Sequence, residues 1–232
     1  RSTNNLSLVT KRPAVFPQAV FGVYLRLFCR GEPGWTGETE EMKKLQEMSL
    51  EELWRLFPVR LREYDPQYPV WYEEERDRVT ALVGGADVFR ISHIGSTAVP
   101  GLLSKPTVDI LLELRPGVQL AEAEEKLSAE WLLMSRSDKR FSFNKGYTPQ
   151  GFADRVFHLH VQPAGDPDEL YFRDYLRAFP DTAEEYAALK RTLLRKYEFD
   201  RDGYTEAKWE FVRRVTALAR GRFAGRYALW RW

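Results

Sequence analysis

The sequence predicts an α+β domain, a mixed β-sheet flanked by helices and followed by further C-terminal helices. Three observations lead there. Residues 107–114 form a nearly continuous apolar run of strand length, the pattern of a strand buried on both faces. Residues 140–145 and 156–161 alternate in side-chain character with a period of two. From Pro167 onward the pattern turns helical three times over. Strands gathered mid-chain, with helices before, among and after them, make an α+β domain.

The elements follow in order. Ser49 with Glu52 three residues later is a capping box, opening a short helix that shows Leu50, Leu53, Trp54 and Phe57 on one face and stops before Pro58. Residues 59–64 read as extended. Asp65-Pro66 then turns the chain into a helix over 68–83, closed by Gly84-Gly85. A strand is expected over 88–94, the apolar strand over 107–114, and a helix over 121–128. The strand over 156–161 puts His158 and His160 on one face and Phe157, Leu159 and Val161 on the other. Helices are expected over 168–179, 182–197 and 204–220, with Pro180-Asp181 and residues 200–203 as punctuation.

Composition sets the limits. Of the 232 residues, 44% are hydrophobic and 30% charged, which are globular proportions. The net charge of +1 gives no strong nucleic-acid signal, while leaving room for a local basic pocket. The single cysteine, Cys29, excludes an intrachain disulfide framework and suits a reducing compartment. The apolar run over 19–29 is interrupted by Arg26 and is too short for a membrane span. A cytoplasmic protein with no membrane association is expected. Residues 1–41 are rich in Pro, Gly, Ser and Thr and show no sustained period. They are either an extension of the domain or sequence upstream of a natural start at Met42, where Met42-Lys43-Lys44 opens a helical pattern. The domain itself is expected over 42–220, with a tail over 221–232.

The chemistry centres on the turn after the first strand. Gly95 permits close approach to the backbone, and Ser96 and Thr97 add hydroxyls beside free amides, an arrangement suited to phosphate. It is neither a P-loop nor a dinucleotide fingerprint. Asp109 sits inside the apolar strand, where a carboxylate needs a partner. A metal ion or cationic ligand is one such partner; a salt bridge to Lys105 or Arg140 is the other. Gly-Ser on a turn with an acidic strand beyond it has the form of the nucleotidyltransferase plan, in which divalent ions assist transfer at phosphorus.

Residues 93–110 (HIGSTAVPGLLSKPTVDI), 158–161 (HLHV), 172–177 (FRDYLR), 186–190 (YAALK) and 204–208 (YTEAK) together resemble the GrpB family of the nucleotidyltransferase-like superfamily. Residues 48–57 look like the start of some members. The resemblance implies a nucleotide or other phosphate-bearing small molecule as ligand. It implies that His93, Gly95, Ser96, Thr97, Lys105, Arg140, Lys145 and Lys208 are candidates to hold it, with Asp109 as the catalytic carboxylate. Family members occur alone or fused behind a dephospho-coenzyme A kinase; no kinase P-loop is present, so that activity is not carried over.

The sequence also departs from a working transferase. The second acidic position is Leu111, and Glu113 lies about 13 Å along the strand from Asp109 at ~3.3 Å per residue. The later strand offers His158 and His160 where a third carboxylate belongs. Asp109, His158 and His160 could share a divalent ion, with Zn²⁺, Mn²⁺, Fe²⁺ or Ni²⁺ better suited than Mg²⁺. Alternatively the histidines line a pocket or bind phosphate when protonated. His93 is a further candidate ligand or phosphate donor. Arg173 also falls inside a motif. Two functions remain open: metal-dependent nucleotidyl transfer, or a non-catalytic nucleotide-sensing or accessory module. The sequence names no protein partner.

Overall fold

The computed structural model describes residue 45 and residues 47–229. The expectations for residues 1–41, including Cys29, and for the helical opening at Met42 lie outside the described residues. Helix α1 (Leu50–Leu56) begins as expected at Ser49: the Glu52 amide donates to Ser49 Oγ at 3.2 Å, and the Ser49 amide donates to Glu52 Oε2 at 2.6 Å. Helix α2 (Tyr68–Val83) ends at Gly84, whose φ of 97° suits glycine. Strand β1 (Val88–Ile94) leads through a single 3₁₀ turn (Ser96–Ala98) toward β2 (Val108–Leu114). Then come α3 (Leu120–Leu127), β3 (Leu132–Arg136), β4 (Phe141–Thr148), β5 (Gly151–Pro163), α4 (Asp168–Ala178), α5 (Pro180–Tyr197), α6 (Arg201–Glu206) and α7 (Trp209–Arg222).

The five strands lie in the order β1-β2-β5-β4-β3, and the β2–β5 pair is the parallel one. The architecture is the α+β mixed sheet with flanking and C-terminal helices that the sequence predicts. Period two splits the sheet into unlike faces. Ile110, Leu112, Phe143, Phe157, Leu159 and Val161 pack with Val79 and Val83 of α2 and Ala123 and Leu127 of α3. The opposite face carries Asp109, Leu111, Glu113, His158, His160, Ser142 and Asn144, by the pairings Asp109↔His158, Leu111↔His160 and Asn144↔His158. Helices α4, α5 and α7 close a second core, where Phe172, Leu176, Tyr186, Phe211 and Val215 meet Val99, Leu102 and Leu103 from the β1–β2 connection.

Several expectations need correction. Strand β3, a five-residue edge strand, was not anticipated; its sequence LLMSR shows little alternation. Strand β5 begins five residues earlier than 156, because β4 and β5 are joined by a tight hairpin. The helix expected over 204–220 is two helices. Residues 200–203, read as loop, start the first of them, since Asp200 Oδ1 accepts from the Gly203 amide at 2.8 Å and caps α6. Helix α7 runs to Arg222, and Tyr227 beyond it packs against the Ile94–Leu111–Leu170 cluster and donates to Asp174. Among the described residues, no helix is long and apolar enough to cross a membrane.

Candidate anion pocket at the Gly95–Ser96 turn

Gly95 has φ 71° and ψ −169°, a region that essentially only glycine occupies. A Cβ there would lie 2.3 Å from Asp109 Oδ2, so the missing side chain is what lets the carboxylate rest on the turn. Asp109 Oδ1 in turn accepts from His158 Nδ1 at 3.0 Å. Of the two salt-bridge partners that the sequence left open, Arg140 pairs with Glu169, and the charge of Lys105 acts on Asp109 beside the His158 bond.

A chain of hydrogen bonds extends from that pair, and its polarity is fixed by chemistry. A carboxylate only accepts, so His158 carries its proton on Nδ1 and Nε2 is an acceptor. Nε2 lies 2.8 Å from the Tyr147 hydroxyl, which therefore donates. Arg201 Nη2 donates to the same oxygen at 3.0 Å and Arg201 Nη1 donates to the Phe57 carbonyl at 3.2 Å. Tyr147 reaches this face through an irregularity. Gly146, at φ 90°, stands where a Cβ would meet the Arg155 carbonyl at 2.3 Å, and the register shifts between Lys145 and Tyr147. Without that bulge Tyr147 would point to the apolar face.

Several basic side chains gather near Asp109 and the turn. Lys190 Nζ donates to Ser96 Oγ at 3.2 Å and also to the Leu103 carbonyl, and sits 4.5 Å over the Tyr186 ring. Lys208 Nζ sits 4.5 Å over the Tyr204 ring, and Lys105 Nζ 5.8 Å from the same ring. Burial, reinforced by the charge of Lys208, holds Lys190 down to about 6. Burial holds Lys208 down to about 8, with Arg201 adding to it and Asp109 opposing. Burial and the charges of Arg201, Lys208 and Lys190 pull Lys105 well below the usual lysine range. Burial pushes Asp109 upward, but the His158 hydrogen bond and the charges of His158, His160 and Lys105 outweigh it and hold the carboxyl low. Burial lowers His158 and, with Arg140, His160. The Tyr204 hydroxyl is buried with no hydrogen-bond partner, a cost of about 1–3 kcal/mol that an acceptor would relieve.

The expected site residues divide. Gly95, Ser96, Lys105, Asp109, His158 and Lys208 come together. His93 does not: it pairs with Ile110 and so faces the apolar side, stacked on Tyr72 at 4.9 Å and bonded to Thr97 Oγ1 at 3.0 Å. The Thr97 hydroxyl donates to the Thr107 carbonyl at 3.0 Å. Both residues pin the turn from behind, and burial drives His93 down to about 4. Lys145 pairs with Phe157 on the apolar side and bonds Glu75 at 2.7 Å and Glu130 at 3.0 Å. Arg140 is bound to Glu169, and Arg173 to the His93 carbonyl at 2.9 Å.

A divalent ion does not fit the residues present. Both His158 nitrogens are engaged, His160 Nδ1 is 3.1 Å from Ser142 Oγ, and His160 neighbours Leu111 instead of a second acid. Among the described residues, no three His, Cys, Asp or Glu side chains gather as a metal site. The nearby lysines and Arg201 oppose a dication as well.

Sequence reasoning missed Lys190, Arg201, Tyr147, Tyr186 and Tyr204. The signal was a repeated spacing: Tyr186/Lys190 and Tyr204/Lys208 are both i,i+4 pairs, and both put the ammonium 4.5 Å over the ring.

Fold and site define a class: an α+β protein whose polar sheet face, packed with C-terminal helices, carries a cluster of buried basic side chains beside a Gly-Ser turn. Residues 58–218 match the family model described as GrpB protein, and the chain belongs to that family. A UPF0157 protein of Pseudomonas aeruginosa is 40% identical over 160 residues, covering 67% of this chain and 65% of that protein. A UPF0157 protein of Bacillus subtilis is 31% identical over 182 residues, covering 76% and 52%. The chain thus spans between half and two thirds of the length of these two relatives. A UPF0157 protein of Halalkalibacterium halodurans is 32% identical over 200 residues, 79% of this chain and 93% of that protein. The crystal structure of the conserved protein GrpB from Enterococcus faecalis superposes with a TM-score of 0.62 at 24% identity, over 71% of this chain and 99% of that one, a likeness of fold.

Proposed function

We propose that the chain binds a nucleotide or related phosphate-bearing small molecule, with its phosphates on the Gly95–Ser96 turn and on Lys105, Lys190, Arg201 and Lys208. One observation carries this reading: Lys105, Lys190, Lys208 and Arg201 gather beside the Gly95–Ser96 turn and Asp109, and burial together with the charges of their neighbours depresses the lysines' proton affinity. A polyanion supplies that charge, and the ammonium groups are the point-charge donors that suit phosphate. The cytoplasm, where phosphorylated metabolites reside, is the compartment this reading assigns. Leu111 and the poor fit for a dication favour binding or sensing over metal-dependent transfer. The test is a thermal shift series with nucleoside triphosphates, pyrophosphate and unphosphorylated nucleosides, with and without chelator. At 100 times Kd a ligand adds about 2.7 kcal/mol, or ~5–10 °C for a domain of this size. Phosphorylated compounds should shift the wild type with chelator present and lose most of that shift in a Lys105→Gln/Lys208→Gln variant. Equal shifts from nucleosides, or none from any phosphate, refute the assignment.

A further inference from the structure

We infer that Tyr147 is a nucleotidyl acceptor, so that the chain modifies itself with the nucleotide it binds. The inference rests on the pocket being a nucleoside triphosphate site and adds a chemical step to it. Its basis is the directed chain Arg201→Tyr147→His158→Asp109, with separations of 3.0, 2.8 and 3.0 Å. A carboxylate orienting an imidazole whose second nitrogen faces a hydroxyl is the arrangement that activates serine in hydrolases, here with a phenol as the nucleophile.

Packing alone does not call for this hydroxyl. The Tyr147 ring meets Phe57 at 5.0 Å and Phe152 at 5.3 Å edge to face, contacts a phenylalanine would make equally well. The backbone bulge at Gly146 turns the ring toward His158 and away from the apolar face. Each charge that forms also has a partner in place. As the phenol loses its proton, the Arg201 guanidinium stabilises the oxygen, and Asp109 stabilises the imidazolium. An anionic ligand entering the pocket makes His158 a better base, because it favours the protonated ring.

The step balances without oxidant or metal. Tyr147 Oη forms a bond to the α-phosphorus of a nucleoside triphosphate. The bond from that phosphorus to the bridging oxygen breaks, and its electron pair departs with pyrophosphate. The phenolic proton passes to His158 Nε2. The charge of the departing pyrophosphate is met by Lys105, Lys190 and Lys208.

The experiment uses the full chain with nucleoside triphosphates labelled at the α-phosphate in one arm and the γ-phosphate in the other, chelator present. Expected are α-label on the peptide holding Tyr147, with the mass of a nucleoside monophosphate, and one pyrophosphate released per labelled chain. Tyr147→Phe should take no label while keeping the far-UV circular dichroism of the wild type, and His158→Gln should label about 100-fold more slowly. Triphosphate that stabilises the wild type without labelling it overturns this inference alone. Label that persists in Tyr147→Phe, or that comes from the γ-phosphate, does the same. No stabilisation of the wild type by any triphosphate overturns the pocket reading and this step together.

Discussion

Anion binding should draw protons into the protein, by an amount the lysines set. Lys190 is held to about 6 and Lys208 to about 8, both below an ordinary lysine at 10.5. At pH 7, a group titrating at 6 is about one tenth protonated and one titrating at 8 about nine tenths. A polyanion that returns both toward the ordinary range therefore takes up about one proton at pH 7 and about two at pH 9, where both groups start nearly neutral. Lys105, also depressed, adds to both figures. Isothermal titration of pyrophosphate in buffers of different ionisation enthalpy measures the number directly. Lys190→Met should remove about nine tenths of a proton at pH 7. Binding with no proton uptake at pH 7 and pH 9 would refute the electrostatic argument. The same shifts fix a sign for stability. Between 6 and 10.5 the unfolded chain holds protons these lysines have shed in the folded state, so their contribution to ligand-free stability rises with pH across that window. Bound anion should flatten the rise.

Two substitutions separate the pocket from its frame. Gly95→Ala meets both a glycine-only backbone conformation, worth about 1–3 kcal/mol, and a Cβ 2.3 Å from Asp109 Oδ2. Displacing Asp109 from His158 adds about 1.5–3 kcal/mol, so a urea melt should show a loss of ~3–5 kcal/mol together with loss of the phosphate-dependent shift; a loss under about 1 kcal/mol contradicts this. Glu113→Ala leaves Arg90 without its fully buried partner and the Gly165 amide without its acceptor. It should cost about 3–5 kcal/mol while the surviving folded protein binds phosphate compounds with unchanged Kd.

What the sequence made legible tracks how local each determinant is. The Ser49 cap, the α2 and β1 boundaries and the two-faced β5 depend on neighbours within a few residues, and each was read directly. Asp109 was legible because a carboxylate inside an apolar run has a local oddity. Arg201 and Lys190 have none. They look like surface cations of amphipathic helices, and only tertiary packing brings Lys190 to Ser96 and Arg201 to Tyr147. His93 failed for the opposite reason: it adjoins Gly95 in sequence, but the alternation of β1 sends its ring through to the apolar side. Tyr147 was hidden by a bulge, since strict alternation from Phe143 and Lys145 assigns it the wrong face.

The unfavourable charge arrangement needs a structural reason to persist. Lys190 and Lys208 are each held over an aromatic ring four residues away, and Lys190 is tied further to Ser96 and the Leu103 carbonyl. These contacts partly offset desolvation without introducing a carboxylate, and a carboxylate would have been the cheaper neutraliser. The sheet can tolerate the residual cost because its other face is packed with fully buried aliphatic and aromatic side chains. A second acid at position 111 would instead have given a cation site, with Asp109 and its neighbour competing for a dication. Leucine there, roofed by Leu170 and Ile94, leaves Asp109 to orient His158 and leaves the lysines unmatched. If the proposed phosphate binding holds, the consequence is selectivity by sign: stabilisation should grow with the negative charge of what enters, so affinity should climb from mono- to di- to triphosphate and fall steeply with added salt.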